Sequence, residues 1–337
     1  MSIRPPRTPH AAGAAAAPRP RARRAATTLA LVGGLVAAGA LAVPAAASAA
    51  PASAADASLV VPAAEGDGGA AIGHWTAERR AAALATDPAA APSSAADPQS
   101  ASAAGRLSLR SVPDDDGALS PGQVSHADLP SVGVLFYVAG GRDRACTAGV
   151  VATADGDAIA TAAHCLYDRD ARTATTLATF IPGAQGATAP HGIWPVRVAA
   201  VSTAWTASGN PADDAGFARV RGPVGPTLAA SVGAAVPVFG SALVPPAGLA
   251  PRLSVLGYPA AGSPTAVLEA CAGRPHHDAG AQVALPCALE KGSAGSPVVT
   301  AAGEQRAVVA RPSAGRGVLL ATWGADAEQA LASLQAR

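Results

Sequence analysis

From about Ser131 onward the chain is built from short runs of β-branched or alternating apolar residues: VGVLFYVAGG, AGVVATADGDAIATAAH, WPVRVAAVSTAW, DAGFARVRG, PRLSVLGYP, SPVVTAAGEQRAVVA and GVLLATWG. Gly, Pro, Asp and Asn interrupt them at short intervals, which is the texture of an all-β sandwich or barrel. ADGD and AAGE read as hairpin turns. Only the last stretch, ADAEQALASLQAR, repeats at the helical period, with Ala327, Ala330, Leu331 and Leu334 on one face. The pattern predicts about 200 residues of antiparallel strand closed by a C-terminal helix.

The first part of the chain has a different texture. A basic stretch ending at Arg24 is followed by an apolar run from Ala25 to Val43 and by Ala47-Ser48-Ala49. This is the layout of a secretory signal peptide with an A-x-A cleavage site over residues 1–49. The alternative is a membrane anchor, since the run nearly reaches the length that spans a bilayer, but its Gly and Ala make it weakly hydrophobic. Residues 50–125 are mostly Ala, Pro, Ser, Gly and Asp, too poor in large apolar groups to offset chain entropy, so most of the stretch is expected to be disordered. It reads as a flexible leader or a pro-segment. Residues 74–87, HWTAERRAAALATD, can form one short helix, and PDDDG is expected to be a solvated turn. The structured domain is then residues 126–337.

Composition narrows the function classes. The 337 residues carry a formal net charge of +1, so nothing points to nucleic acid or an anionic surface as partner. Half the residues are hydrophobic but aromatics are only 3%, so the apolar fraction overstates the core that can be built. Lys291 is the only lysine, and this bias, with so much Ala, Gly and Pro, points to a GC-rich bacterial coding sequence. No later apolar run is long enough to span a membrane. The four cysteines, Cys146, Cys165, Cys271 and Cys287, suit an oxidising compartment, where an even count forms disulfides. Their spacing fits no zinc pattern, so no metal and no cofactor is expected.

The most specific string is TAAHC, Thr161 to Cys165, which follows a β-run and lies 19 positions after Cys146 in CTAGVV. It resembles the chymotrypsin-like (trypsin-like) serine peptidases, and more closely their bacterial secreted, glutamyl-endopeptidase-like branch. In that family a cysteine segment and an A-A-H-C segment are disulfide-bonded beside the catalytic histidine. The resemblance covers roughly residues 131–330. It implies a fold of two six-stranded antiparallel barrels with a cleft between them, pairing of Cys146 with Cys165 and of Cys271 with Cys287, and His164 as the general base. NPADDAGFARV resembles the family's aspartate segment, with Asp214 as the acid that orients His164. Asp213 is the alternative, expected to face solvent. LGYPA and CAGR also recur in this branch.

The nucleophile loop is where the chain departs from its family. CALEKGSAGSP, Cys287 to Pro297, fits the pattern C-x-M-T-G-G-S-S-G-G-P without a gap, and Ala294 falls in the nucleophile's column. Ser293 fills a column where this branch often carries a second serine. A methyl group cannot attack a carbonyl, and removing this nucleophile costs on the order of 10⁶ in turnover. Ser293 is the other candidate nucleophile. Adjacent side chains on a tight turn point in different directions, and an error of about 1 Å can cost a factor of 10². Gly292 and residue 294 would supply the two backbone N–H groups of an oxyanion hole. The family pattern places Ala288 near the floor of the primary pocket, which argues against cleavage after Arg or Lys. His276 and His277 read as a solvated turn; His191 and His74 carry no signal.

Three functions follow from these residues. The first is a secreted, monomeric serine endopeptidase homologue that is catalytically impaired and binds peptide in its cleft. The second is an active endopeptidase that uses Ser293. The third is a structural protein of the cell envelope that kept the fold.

Overall fold

The computed structural model describes residues 58–63, 67–85, 122, 123 and 125, and 128–336, apart from 187, 223, 260–266, 279, 290 and 314–316. The signal-peptide segment and the PDDDG turn lie outside the described residues, which fall in the compact unit Pro51–Arg337. The elements that matter below are strand β1 (Ser58–Pro62), helices α1 (Asp67–His74) and α2 (Ala77–Ala85), and strands β2 (Val132–Ala139), β3 (Arg142–Val151), β4 (Ala158–Ala162), β5 (Thr176–Pro182), β6 (Trp194–Ser202) and β7 (Ala215–Val220). They are followed by β8 (Leu253–Gly257), β9 (Glu269–Gly273), β10 (Val283–Leu285), β11 (Pro297–Val299), β12 (Glu304–Ser313), β13 (Gly317–Thr322) and the C-terminal helix Ala325–Gln335.

The first barrel closes completely. Antiparallel ladders run from β6 to β7, β4, β3, β2 and β5, and the pairs Thr179↔Pro195 and Phe180↔Trp194 bring β5 back to β6. Its interior is filled by Leu135, Val150, Ile159, Phe180, Val201 and their neighbours, all nearly inaccessible. The strands alternate inward apolar with outward residues as their pattern predicts, and closure leaves few free edges.

The second sheet is all antiparallel along its main path, but it does not close as a hydrogen-bonded barrel among the described residues. The order runs from β10 through β13, β12, β11 and β8 to β9, with short flanking strands at both ends. The expected all-β architecture of two antiparallel sheets and a C-terminal helix is present, the first sheet as a closed six-stranded barrel and the second as a half-barrel. Two of its strands, β10 and β11, have three residues each. A covalent link spans the opening instead. Cys271 on β9 is bonded to Cys287 just beyond β10, with Cα atoms 5.8 Å apart. Pro286 lies so close to Gly273 that a Cβ there would sit 3.1 Å from its ring. The C-terminal helix buries Ala327, Ala330, Leu331 and Leu334, the four positions its period marks, against Phe217 and Trp323.

In the N-terminal stretch, expected to be mostly disordered with one short helix over 74–87, residues 58–63 and 67–85 form a strand and two helices that dock on the first barrel. β1 pairs with the second half of β6, from Ser58↔Ser202 to Pro62↔Val198, where β5 has already left that edge. Trp75, 1% exposed, sits in a cluster with Phe136, Ile181 and Leu84. Its ring centroid is 5.3 Å from that of Phe136, and its indole N–H donates to the Leu177 carbonyl at 2.6 Å. His74 Nε2 and Arg79 Nε each lie 2.8 Å from a carboxylate oxygen of Asp143 on β3. Compositional poverty failed as a guide because the docking surface belongs to the barrel: an unfilled strand edge and an apolar face supply what the segment lacks.

Candidate functional site

The pairing of β4 with β7 brings His164 and Asp214 together. Ala162 and Ala215 are opposite one another at the ends of these strands, so the residues just beyond them lie side by side. His164 sits in the 3₁₀ turn Ala163–Cys165. Asp214 follows the turn Pro211–Asp213, whose start is capped by Asn210 accepting from the Ala212 N–H. The Ala163 N–H donates to the Asp214 carbonyl at 3.2 Å. The Asp214 carboxylate takes two further hydrogen bonds from His164: the backbone N–H to Oδ1 at 3.0 Å and ring Nδ1 to Oδ2 at 2.7 Å.

A carboxylate can only accept, so the proton of this contact resides on Nδ1 and leaves Nε2 as the basic atom when the ring is neutral. The Asp214 side chain is 8% exposed and that of His164 is 34%, which leaves the ring reachable from solvent while its orienting acid is enclosed. Burial is the largest influence on His164 and favours the neutral ring. The charge of Asp214 and the hydrogen bond to it together outweigh that effect, against opposition from Arg144, and the pKa is raised. Asp213, expected to face solvent, is half-buried in its turn, and its carboxyl pKa is raised by burial and then by Asp326. It makes no contact with His164 among the described interactions, whereas Asp214 bonds the ring directly.

The loop carrying Ala294 is held by both halves of the molecule. The Ala294 carbonyl accepts from the Thr147 N–H at 2.9 Å and the Gly292 carbonyl accepts from the Thr147 hydroxyl at 3.2 Å. On the other side the Gly295 N–H donates to the Val309 carbonyl at 2.7 Å, and the Val309 N–H donates to the Ser296 carbonyl at 2.9 Å. Gly295 has φ +81°, and a Cβ on it would collide with the Thr147 carbonyl and the Thr161 hydroxyl, with the Ala162 nitrogen 3.0 Å away. Only glycine permits so close an approach. The loop therefore presses on the residues that lead into His164. Ala294, 6% exposed, belongs to the same buried cluster as Cys146, Ala163 and Cys165.

Gly292 also has a positive φ, +89°. The N–H groups of Gly292 and Ala294 donate to no acceptor among the described residues. Ser293 is fully buried, and its Oγ has no hydrogen-bond partner among the described residues. Ala288 is exposed, and its neighbours Cys287 and Leu289 are both buried. His276 and His277 are exposed on a two-residue strand. Cys146 is bonded to Cys165, with Cα atoms 6.4 Å apart. Ring and sulfur atoms of His164, Cys146 and Cys165 lie within 4.8 Å of one another, but both sulfurs are spent in the disulfide, so the cluster offers no metal ligand set.

A cavity of about 460 Å³ opens beside His164, lined among others by Tyr137, Arg144, Tyr167, Trp205 and Arg311. Two residues of the surroundings carried no signal in the sequence. Thr147 is one: besides its bonds to the loop, its Oγ accepts from the Tyr258 N–H at 2.9 Å and its carbonyl accepts from the Thr161 hydroxyl at 2.7 Å. The other is Arg144, whose charge reaches His164.

No protein-family model and no curated protein matches the sequence. Solved structures do. A thermostable serine protease, AL20, from an extremophilic microorganism is 25% identical, with a TM-score of 0.56 over 63% of this chain and 100% of that one. The protease Anisep from Arthrobacter nicotinovorans is 25% identical, with a TM-score of 0.55 over 62% of this chain and 97% of that one. A Glu endopeptidase shares the fold at 17% identity, with a TM-score of 0.51 over 66% of this chain and 99% of that one. The chain thus has the fold of the chymotrypsin-like serine proteases.

Proposed function

We propose that this protein is an exported pseudoprotease that binds peptide segments in the cleft beside His164 and does not cleave them efficiently. The observation that carries this reading is Ala294, a methyl group in a loop pinned against the residues that lead into a complete His164–Asp214 pair. Acyl transfer in this chemistry needs an oxygen nucleophile that gives its proton to the histidine. The base, its orienting acid and the N–H groups of Gly292 and Ala294 remain; the attacking atom does not. Peptide binding needs none of the missing chemistry. Both disulfides suit an oxidising compartment, and no described helix is long and apolar enough to cross a membrane.

The second reading, catalysis by Ser293, is disfavoured by the full burial of its hydroxyl and the absence of any bond from it to His164 among the described residues. One experiment separates the two. The full chain and its Ala294→Ser variant are treated with a fluorophosphonate probe and with a mixed peptide library. Labelling and cleavage by the variant alone support the pseudoprotease. Labelling of the unaltered chain at Ser293 overturns it.

A further inference from the structure

A second and larger cavity, about 780 Å³, opens at the opposite end of the first barrel from His164. One strand pair sets both ends. Ala215, beside Asp214, is opposite Ala162, whereas Arg219 is opposite Ala158. Five residues along a strand separate Asp214 from Arg219 by roughly 16 Å, so one small ligand cannot fill both sites.

Three arginines line this cavity: Arg197 from β6, and Arg219 and Arg221 at the end of β7. The register of β7 against β6 shifts between Arg219 and Val220, an irregularity of the kind that re-aims side chains. The Arg221 N–H then bonds the Pro195 carbonyl at 2.9 Å, which holds the segment in place after the shift. Arg219 is neutralised by Asp155 at 2.6 Å. Asp157 has its Oδ1 engaged by the Leu228 N–H at 3.0 Å. Arg197 and Arg221 are exposed, and their guanidinium groups have no acidic partner among the described residues.

Asp155, Asp157 and Thr227 also line the cavity, so its arginines outnumber its carboxylates by one, and the apolar part of the wall is rigid. Trp194 is 4% exposed, its indole N–H is committed to the His191 carbonyl at 2.8 Å, and a Cβ on Gly222 would run into its ring. Val60 and Pro62 of the docked N-terminal strand complete the cavity. Its volume suits an organic molecule of ligand size.

We propose that this cavity is a binding site for a small organic anion. Its carboxylate or phosphate oxygens pair with Arg197 and Arg221, and its carbon skeleton packs on Val60, Pro62 and Trp194. The planar guanidinium fork matches either oxyanion in a two-point contact. The site is separate from the peptide cleft, and the proposal stands whether or not the chain is a pseudoprotease.

The test is calorimetric titration of the full chain with citrate and, separately, with inorganic phosphate, which distinguishes the two oxyanion classes. The expected result is saturable one-site binding of at least one of them, weakened tenfold or more by Arg197→Gln and by Arg221→Gln. Arg311→Gln, a charge change beside His164, leaves the binding unaltered. Thermal unfolding provides a second readout: the same anion raises the midpoint of the native chain but not that of Arg221→Gln. Absence of saturable binding for both anions overturns the proposal. So does binding that survives both substitutions, or binding that Arg311→Gln weakens equally.

Discussion

The Thr147 N–H donates to the Ala294 carbonyl at 2.9 Å, so a strand of the first barrel holds the residue that stands where a nucleophile would. The same threonine reaches Gly292 and Tyr258 through its hydroxyl, which makes it the point where β3, the loop and the end of β8 meet. Thr147→Val keeps the shape and leaves the Gly292 carbonyl and the Tyr258 N–H without that partner. Each buried group left unpaired costs about 1–3 kcal/mol. The expected outcome is a lower urea midpoint for Thr147→Val, with Thr147→Ser close to the native value.

The same bond predicts an effect on chemistry. In an Ala294→Ser background, Thr147→Val loosens the loop, and the rate of fluorophosphonate labelling falls while His164 and Asp214 are intact. Labelling at an undiminished rate would show that Thr147 contributes to folding only.

Asp214 orients His164 through two bonds, one to the ring and one to the backbone. Asp214→Asn retains the shape but presents an amide to Nδ1, which stabilises the wrong tautomer. In serine proteases that change lowers turnover by about 10⁴. The expected outcome in the Ala294→Ser background is a loss of labelling and cleavage of that order, with thermal stability changed far less. A loss under tenfold would mean that the ring is oriented by something other than Asp214.

The raised pKa of His164 has a stability consequence with a definite sign. The folded protein holds the imidazolium proton more tightly than the unfolded chain, whose histidines titrate near about 6.5. The stabilisation is therefore complete below that value and disappears as pH rises through the higher folded-state pKa. Urea unfolding of the native chain and of Asp214→Asn between pH 5 and 9 (a range of roughly two units either side of neutrality) is expected to show a gap that narrows at the alkaline end. In the Ala294→Ser variant the neutral ring is the base, so labelling rises through the same titration.

Much of the site is legible in the sequence because its parts are local. TAAHC and DDAGFARV each place a candidate residue at the end of a buried strand, and antiparallel pairing of those strands does the rest. The C-terminal helix is legible for the same reason: its period marks Ala327, Ala330, Leu331 and Leu334, and those four are buried. What is not legible is set by contacts distant in sequence. Thr147 acquires its role from three segments that meet only in the folded chain. The second sheet is a half-barrel among the described residues, and the link between its end strands, Cys271–Cys287, joins segments far apart in the sheet order. Residues 58–85 look too poor to fold, since Ala71, Ala83 and Leu84 become core only against β2 and β5.

That last contrast leads to a prediction about where the folded unit begins. Val198 to Ser202 of β6 have β1 as their partner on one edge, so a chain starting at Gly122 exposes five residues of unpaired strand. Exposed edges of this kind template association between molecules. Such a chain also loses Trp75 from its place against Phe136, together with the contacts of His74 and Arg79 to Asp143. A milder version isolates the packing contribution: Trp75→Ala in the full chain is expected to cost about 3–5 kcal/mol, the range for a large aromatic removed from a core. The measurement is a urea unfolding curve for that variant, with light scattering on the truncated chain. A Gly122-start chain that stays monomeric and unfolds at the native midpoint would show that the N-terminal strand and helices are a dispensable leader and not a working part of the barrel.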